Sequence, residues 1–369
     1  MAQAQVNGRR IDLAPLATLS VLLVVLLWAY WNSLMTAARY WDNPKYSHGY
    51  MVPLFTLVLL WLRRDASAKI DQRLAYIGGG LMGVAAALLA MASYLGVSAS
   101  VASVLELLGI QAGVVGALLV IQQPFPAKVD SSARAAGIGL LSVGLIGRLL
   151  ATYFPNLTPE MYSFVPAILG VFLLVGGWKL LIWSGAPLLF LMFMFPLPSF
   201  LDASLLGTLQ RWATDWSTYC LQTLGIAAVN ESNRIALGEV NLDIVEACSG
   251  LRMLTIFGAI AVAITMITDR PWWEKMIIVV SSVPIAVAVN IIRITTTGIM
   301  YVTPWVGPEL ADRVFHNMYG WFMMPVALGL LYVEFQVLSH LFVEEDTTAP
   351  VAIGAGTNRT GQRAGAVSR

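Results

Sequence analysis

The chain has 369 residues, of which 58% are hydrophobic and only 12% charged, against roughly 25% charged in a soluble domain. That composition cannot cover a water-facing surface, so it excludes a soluble globular protein, and the apolar runs are long enough for membrane helices rather than barrel strands. The formal net charge of +1 gives no ground for a nucleic-acid partner.

Residues 1–14 form a short N-terminal tail carrying Arg9 and Arg10. The first apolar run, about 15–37, is followed by no small-residue cleavage signature and reads as a retained span. Further spans are predicted at about 50–62, 74–94, 102–121, 135–153, 163–178, 185–201, 251–268, 276–299 and 318–341. The second, sixth and seventh are short against the roughly 20 residues that an upright helix needs. The predicted fold class is therefore an all-α polytopic membrane protein with about ten transmembrane helices, occupying residues 15–342. The last residues, 343–369, are rich in Gly, Ala, Thr and Ser and read as a disordered tail.

Lys and Arg in the loops set the orientation. Arg63, Arg64, Lys69, Arg73, Lys128, Arg134, Lys179, Arg270, Lys275 and the Arg residues of the tail fall on one side with Arg9 and Arg10. Arg39, Lys45, Arg211, Arg234 and Arg313 fall on the other. Both termini are thus expected in the cytoplasm. Residues 202–250 form an outer segment that is more than a loop. Its stretch "DASLLGTLQRWATDWSTYCLQTLG" predicts an amphipathic helix lying in the interface, with Trp212 and Trp216 as anchors. "NRIALGEVNLDIVEA" then predicts a small β-hairpin that delivers the chain to Cys248. Glu106 and Arg148 lie inside spans at matched depth, which predicts a salt bridge between neighbouring helices.

Two cysteines, Cys220 and Cys248, and three histidines, His48, His316 and His340, are too few for a disulfide scaffold or a Cys/His metal cluster. No CxxC, HExxH or GxxxxGK[ST] pattern occurs. No metal and no cofactor are implied.

The topology brings three groups to one depth. Cys248 stands just before the eighth span and His316 just before the tenth, both on the outer side. Arg293 lies 18 residues after Lys275, a rise of about 27 Å along a helix, which carries it to the same boundary. A thiolate is the attacking form of cysteine, and a helix N-terminus or a nearby cation lowers its pKa. His316 is placed to take the thiol proton and return it to a leaving amine. Arg293 is placed to stabilise an oxyanion or bind a carboxylate, with Asn290 one turn below to orient it. Taken singly, each has a bland reading: a small buried hydrophobe, a snorkelling anchor, a satisfied histidine. Their convergence favours a site. Glu246, Ser249 and Arg252 flank the cysteine as candidate supporting or substrate-binding groups; Arg252 either recognises an acidic substrate group or snorkels. His48, in "YSHGY", either helps bind substrate or fixes a turn.

"EACSGLR" at 246–252, "NIIR" at 290–293 and "FHN" at 315–317 resemble the motifs of the exosortase/archaeosortase family, and "DNPKYSHGYMVP" at 42–53 and "FPLPSFLD" at 195–202 are similar to further family segments. The best fit is to bacterial exosortases of the PEP-CTERM sorting type. The resemblance implies a multi-pass cysteine protease/transpeptidase in the inner membrane, with its active site facing the periplasm. Its nucleophile, arginine and histidine would be Cys248, Arg293 and His316. Its partners would be membrane-anchored proteins bearing a C-terminal tripartite tail of a Pro-Glu-Pro-like motif, a hydrophobic span and a basic cluster. A thioester would form and be resolved by an acceptor, polysaccharide- or lipid-linked among the options, or by water. A Cys220–Cys248 disulfide would consume the nucleophile and is not expected. Two rivals remain at this stage. One is a transporter or flippase for a polysaccharide or lipid precursor, which would line several spans with polar groups at mid-depth. The other is a non-catalytic scaffold.

Overall fold

The computed structural model describes residues 4–6, 9–11, 13–43, 45–64, 71–94, 98–126, 128–151, 153, 157–231, 234–238, 240–243, 251–303, 325–326, 329–330, 332–334 and 336–337. A short β-ladder, β1 (Ala4–Val6) on β2 (Arg9–Ile11), precedes the first helix. The helices are α1 (Leu13–Ala29), α2 (Trp31–Trp41), α3 (Met51–Leu62), α4 (Gln72–Tyr94), α5 (Ala99–Ile121), α6 (Ser131–Ala151), α7 (Leu157–Phe190), α8 (Ser199–Thr223), α9 (Leu251–Ile267) and α10 (Trp272–Val302). A 3-10 turn, Ser47–Tyr50, leads into α3, and a second, Leu191–Met194, extends α7. The chain is an all-α membrane protein in its main architecture. Among the described residues, five helices are long and apolar enough to cross a membrane, or six if the bent α1–α2 pair is one span.

That number differs from the predicted ten for identifiable reasons. The α3 helix, with 12 residues, and α9, with 17, are apolar but short. Most of the predicted tenth span, and the tail after 342, lie outside the described residues. The predicted sixth and seventh spans are continuous in α7, which has a single non-helical residue, Gly177, at φ +62 and ψ −167. That combination is open essentially to glycine alone. The two arms of α7 do not form a straight rod. A straight helix would set Tyr162 and Phe195 about 50 Å apart, whereas their ring centroids are 5.6 Å apart. The chain therefore folds back at Gly177, beside the charged Lys179.

The first arm of α7 packs on α6 at very short range. A Cβ on Gly144 would meet the Ala167 nitrogen at 2.8 Å and the Ser163 carbonyl at 2.8 Å, both backbone. Close approach through small residues is how helices gain packing energy where no hydrophobic drive separates lipid from side chain. Gly144→Leu is expected to destabilise the folded protein in detergent strongly, whereas Gly139→Leu, with nothing within 4 Å of its Cβ, is expected to be neutral. Thermal unfolding of the two variants checks this.

The main core joins α1, α3, both arms of α7 and one face of α9, with Tyr30, Leu59, Phe164 and Phe195 buried in it. Tyr30 sits at the 65° bend between α1 and α2. Its hydroxyl donates to the Gly144 carbonyl at 3.1 Å and lies 3.0 Å from Ser163 Oγ. The predicted Glu106–Arg148 bridge is not formed. Arg148 Nε lies 3.6 Å from Glu160 Oε1 instead, and among the described residues Glu106 has no ion-pair partner. The reason is packing order: α6 lies on α7, while α5 lies on α4 and α1. Equal depth on consecutive helices did not make them neighbours.

Beyond α8, β3 (Val229–Asn230), β4 (Arg234–Leu237) and β5 (Val240–Asp243) form an antiparallel sheet in that order. Ile235, Leu237 and Leu242 turn one apolar face onto Ala213 and Leu221 of α8 and Ile294 of α10. This sheet and the ends of α8 and α10 make a cap over one end of the bundle.

Candidate active site

Arg293 stands where the bundle meets the cap. On one side of it along α10, Ala286 and Val289 pack against Met253, Ile256 and Phe257 of α9. Ala261 meets Ile278 further down, so the two helices are antiparallel. On the other side, Ile294, Ile299 and Tyr301 join the cap. The first turn of α9, with Arg252, is therefore level with Arg293, and the two guanidiniums are close enough for their like charges to couple. The expected end of this helix near 299 is passed: α10 runs on to Val302, nine residues beyond Arg293. So Arg293 is not at a helix tip. It is 7% exposed and Asn290, one turn away, 2% exposed.

What covers this face of α10 is α8. The predicted amphipathic helix is present, but its inward face is hydroxyl-rich: Gln210, Thr214, Ser217 and Thr218 are buried. Ser217 Oγ donates to the Ile291 carbonyl at 3.4 Å. Its outward face carries Trp212, Trp216 and Tyr219, each at least half exposed. Arg211 and Asp215 are exposed on the same helix, and Leu209, Ala213 and Leu221 are buried beside the polar residues. Cys220 on α8 is a free thiol.

The segment 41–50 supplies the other wall. His48 Nε2 donates to the Phe193 carbonyl at 3.1 Å, which requires a proton on Nε2. Its Nδ1 is buried and has no hydrogen-bond partner among the described residues. Trp41 Nε1 donates to the Met194 carbonyl at 2.7 Å. Ser47 Oγ accepts from Arg252 Nη2 at 3.4 Å. Lys45 Nζ pairs with Asp202 Oδ2 at 2.6 Å, and the Tyr46 hydroxyl donates to Asp202 Oδ1 at 2.8 Å. Burial first, and then this bond to a carboxylate, hold the Tyr46 phenol well above its ordinary pKa, so it remains a donor in alkaline solution.

Of the residues singled out in the sequence, the fold thus brings together Arg252, Arg293, Asn290 and the segment of His48. Cys248, Glu246, Ser249 and His316 lie outside the described residues. Sequence reasoning missed Lys45, Tyr46, Ser47 and Asp202. A signal was available for two of them: Lys45 and Asp202 are opposite charges in an otherwise apolar chain, each within one of the two further family-like segments, 42–53 and 195–202.

The family model described as transmembrane exosortase (Exosortase_EpsH) matches residues 40–127 and 110–333. No curated protein and no solved structure matches the chain. The matched range takes in every one of these site segments, from the Lys45 shelf to the far side of Arg293. The chain belongs to the transmembrane exosortases, and is a multi-pass membrane protein of a protein-sorting protease family.

Proposed function

We propose that the chain is a cysteine protease/transpeptidase that cleaves C-terminal sorting signals of the PEP-CTERM type at the periplasmic face of the bacterial inner membrane. About ten spans, with both termini cytoplasmic, would carry it. The observation that supports this best is the buried guanidinium of Arg293, level with the first turn of α9. Cys248 is three residues before Leu251, the first residue of α9, and three peptide units reach at most about 11 Å. That tether allows a nucleophile and an oxyanion-stabilising cation to act on one substrate carbonyl.

The Cys248 thiol passes its proton to His316, and the thiolate attacks the scissile carbonyl carbon. The resulting oxyanion is stabilised by Arg293, which Asn290 orients. An arginine at its usual pKa is a poor base, so the proton belongs to His316. The C–N bond breaks, and the leaving amine takes the proton back. An acyl thioester remains on Cys248. An acceptor amine or other nucleophile, polysaccharide- or lipid-linked, or water then attacks it, losing a proton as the sulfur leaves. Arg252 contacts an acidic group of the substrate, Glu246 and Ser249 support the cysteine, and His48 shapes the substrate wall.

The test is to trap the intermediate. Full-length enzyme incubated with a tail-bearing protein from the same genome is expected to give a hydroxylamine-sensitive adduct at Cys248 that fails to form in His316→Gln. A stable adduct elsewhere, or processing with no dependence on either residue, refutes the assignment. Arg293→Lys is expected to lower kcat about 10²-fold with little change in KM, because an ammonium cannot copy the planar fork. Initial rates of tail cleavage check it.

A further inference from the structure

The structure assigns Asp202 as a positioning residue that sets Arg252 through the Lys45–Tyr46–Ser47 segment. The inference rests on the proposed proteolysis and adds a residue that acts at a distance from the reacting atoms.

Asp202 is in the first turn of α8, where a carboxylate suits the helix dipole. Both of its oxygens are taken by consecutive residues, Oδ2 by Lys45 Nζ at 2.6 Å and Oδ1 by the Tyr46 hydroxyl at 2.8 Å. The next residue, Ser47, holds Arg252. The one after that, His48, ties to the Phe193 carbonyl. Four successive side chains of one short segment thus face two directions. Three grip the 193–202 stretch, and one carries the guanidinium that begins α9.

The balance of strengths makes the grip matter. Among the described residues, Ser47 is the one hydrogen-bond partner of Arg252, at a long 3.4 Å, and no carboxylate lies within ion-pair distance of it. Such a bond is too weak to hold a guanidinium against the repulsion of Arg293 unless its acceptor is itself fixed. Ser47 is flanked by fixed residues, Lys45 and Tyr46 on Asp202 and His48 on the Phe193 carbonyl. Lys45 is 8% exposed, and without Asp202 its ammonium would be buried and unpaired. It would then leave for water and take the segment with it.

A lock that only stabilises the fold would have the same distances, so the test must separate the two. Full-length enzyme in proteoliposomes is assayed on a tail-bearing protein from the same genome, as wild type, Asp202→Asn, Arg252→Gln and the double variant. Asp202→Asn is expected to lose about tenfold in kcat/KM, mostly in KM. The double variant is expected to be within about twofold of Arg252→Gln alone, because the lock has nothing left to position. Losses that multiply in the double variant, or an Asp202→Asn enzyme equal to wild type, overturn the inference. Should Asp202→Asn fail to fold, Tyr46→Phe and Ser47→Ala carry the same cycle with Arg252→Gln while leaving the ion pair intact. Additive losses there overturn it equally. Failure of the wild type to process any tailed protein would instead refute the protease reading.

Discussion

Cys248→Ala is expected to abolish tail processing, with a loss of at least about 10³-fold, while the protein accumulates in the membrane at wild-type level. The size follows from chemistry: with no sulfur there is no thioester, and the remaining cation and histidine can only assist direct attack by water. Cys248→Ser is expected to be nearly as poor. A serine hydroxyl is a far weaker acid than a thiol, and His316 alone does not ionise it at neutral pH. Normal accumulation is expected because the substitution removes one sulfur atom and leaves the residues of the main core unchanged. Tyr30, Phe164 and Phe195 are its buried aromatic centre, at the α1–α2 bend, on α7 and in the segment after it. Immunoblots of a tail-bearing protein expressed with each variant read both quantities. Wild-type processing by Cys248→Ala would remove Cys248 as nucleophile and leave Arg293 without an oxyanion to serve.

Much of this arrangement was legible in the chain because membrane helices obey simple arithmetic. Counting 18 residues from Lys275 at ~1.5 Å each predicts Arg293 far along its helix, and the structure has it level with the first turn of α9. A turn near Lys179 was legible as the gap between the spans at 163–178 and 185–201, but that it falls at Gly177, inside the sixth span, was not. Partners that lie far apart in sequence were not legible. The bend at Tyr30 depends on Gly144 and Ser163, 114 and 133 residues away. Asp202 meets Lys45 across 157 residues. An apolar stretch such as 15–37 looks the same whether straight or bent, since lipid reads only its hydrophobicity. A helix over this stretch was expected to lie amphipathic in the interface, but the burial of Thr214, Ser217 and Thr218 was not legible. A polar face normally turns to water, and only the cap and α10 give these hydroxyls another place to go.

The same reasoning yields an expected stability effect away from the site. Arg148→Ala is expected to destabilise the folded protein by about 1 kcal/mol, because it removes the cation from a partly exposed pair and leaves the anion. Glu160 accepts from Ser33 Oγ at 2.6 Å and faces Arg148 Nε at 3.6 Å. Arg148 also lies over the Tyr30 ring, 4.7 Å from its centroid. One guanidinium thus joins α6 to both α7 and the bend of α1–α2. Glu160→Gln should cost less than Arg148→Ala, since a neutral amide can keep the Ser33 bond without needing a counter-charge. In the double variant Arg148→Met/Glu160→Gln no lone charge remains in the membrane, so much of the lost stability should return. Thermal unfolding in detergent of the three variants measures the coupling. If the double variant falls by the sum of the two single losses, the pair is not acting as a unit. The bend at Tyr30 would then be held by its hydroxyl bonds to Gly144 and Ser163 alone.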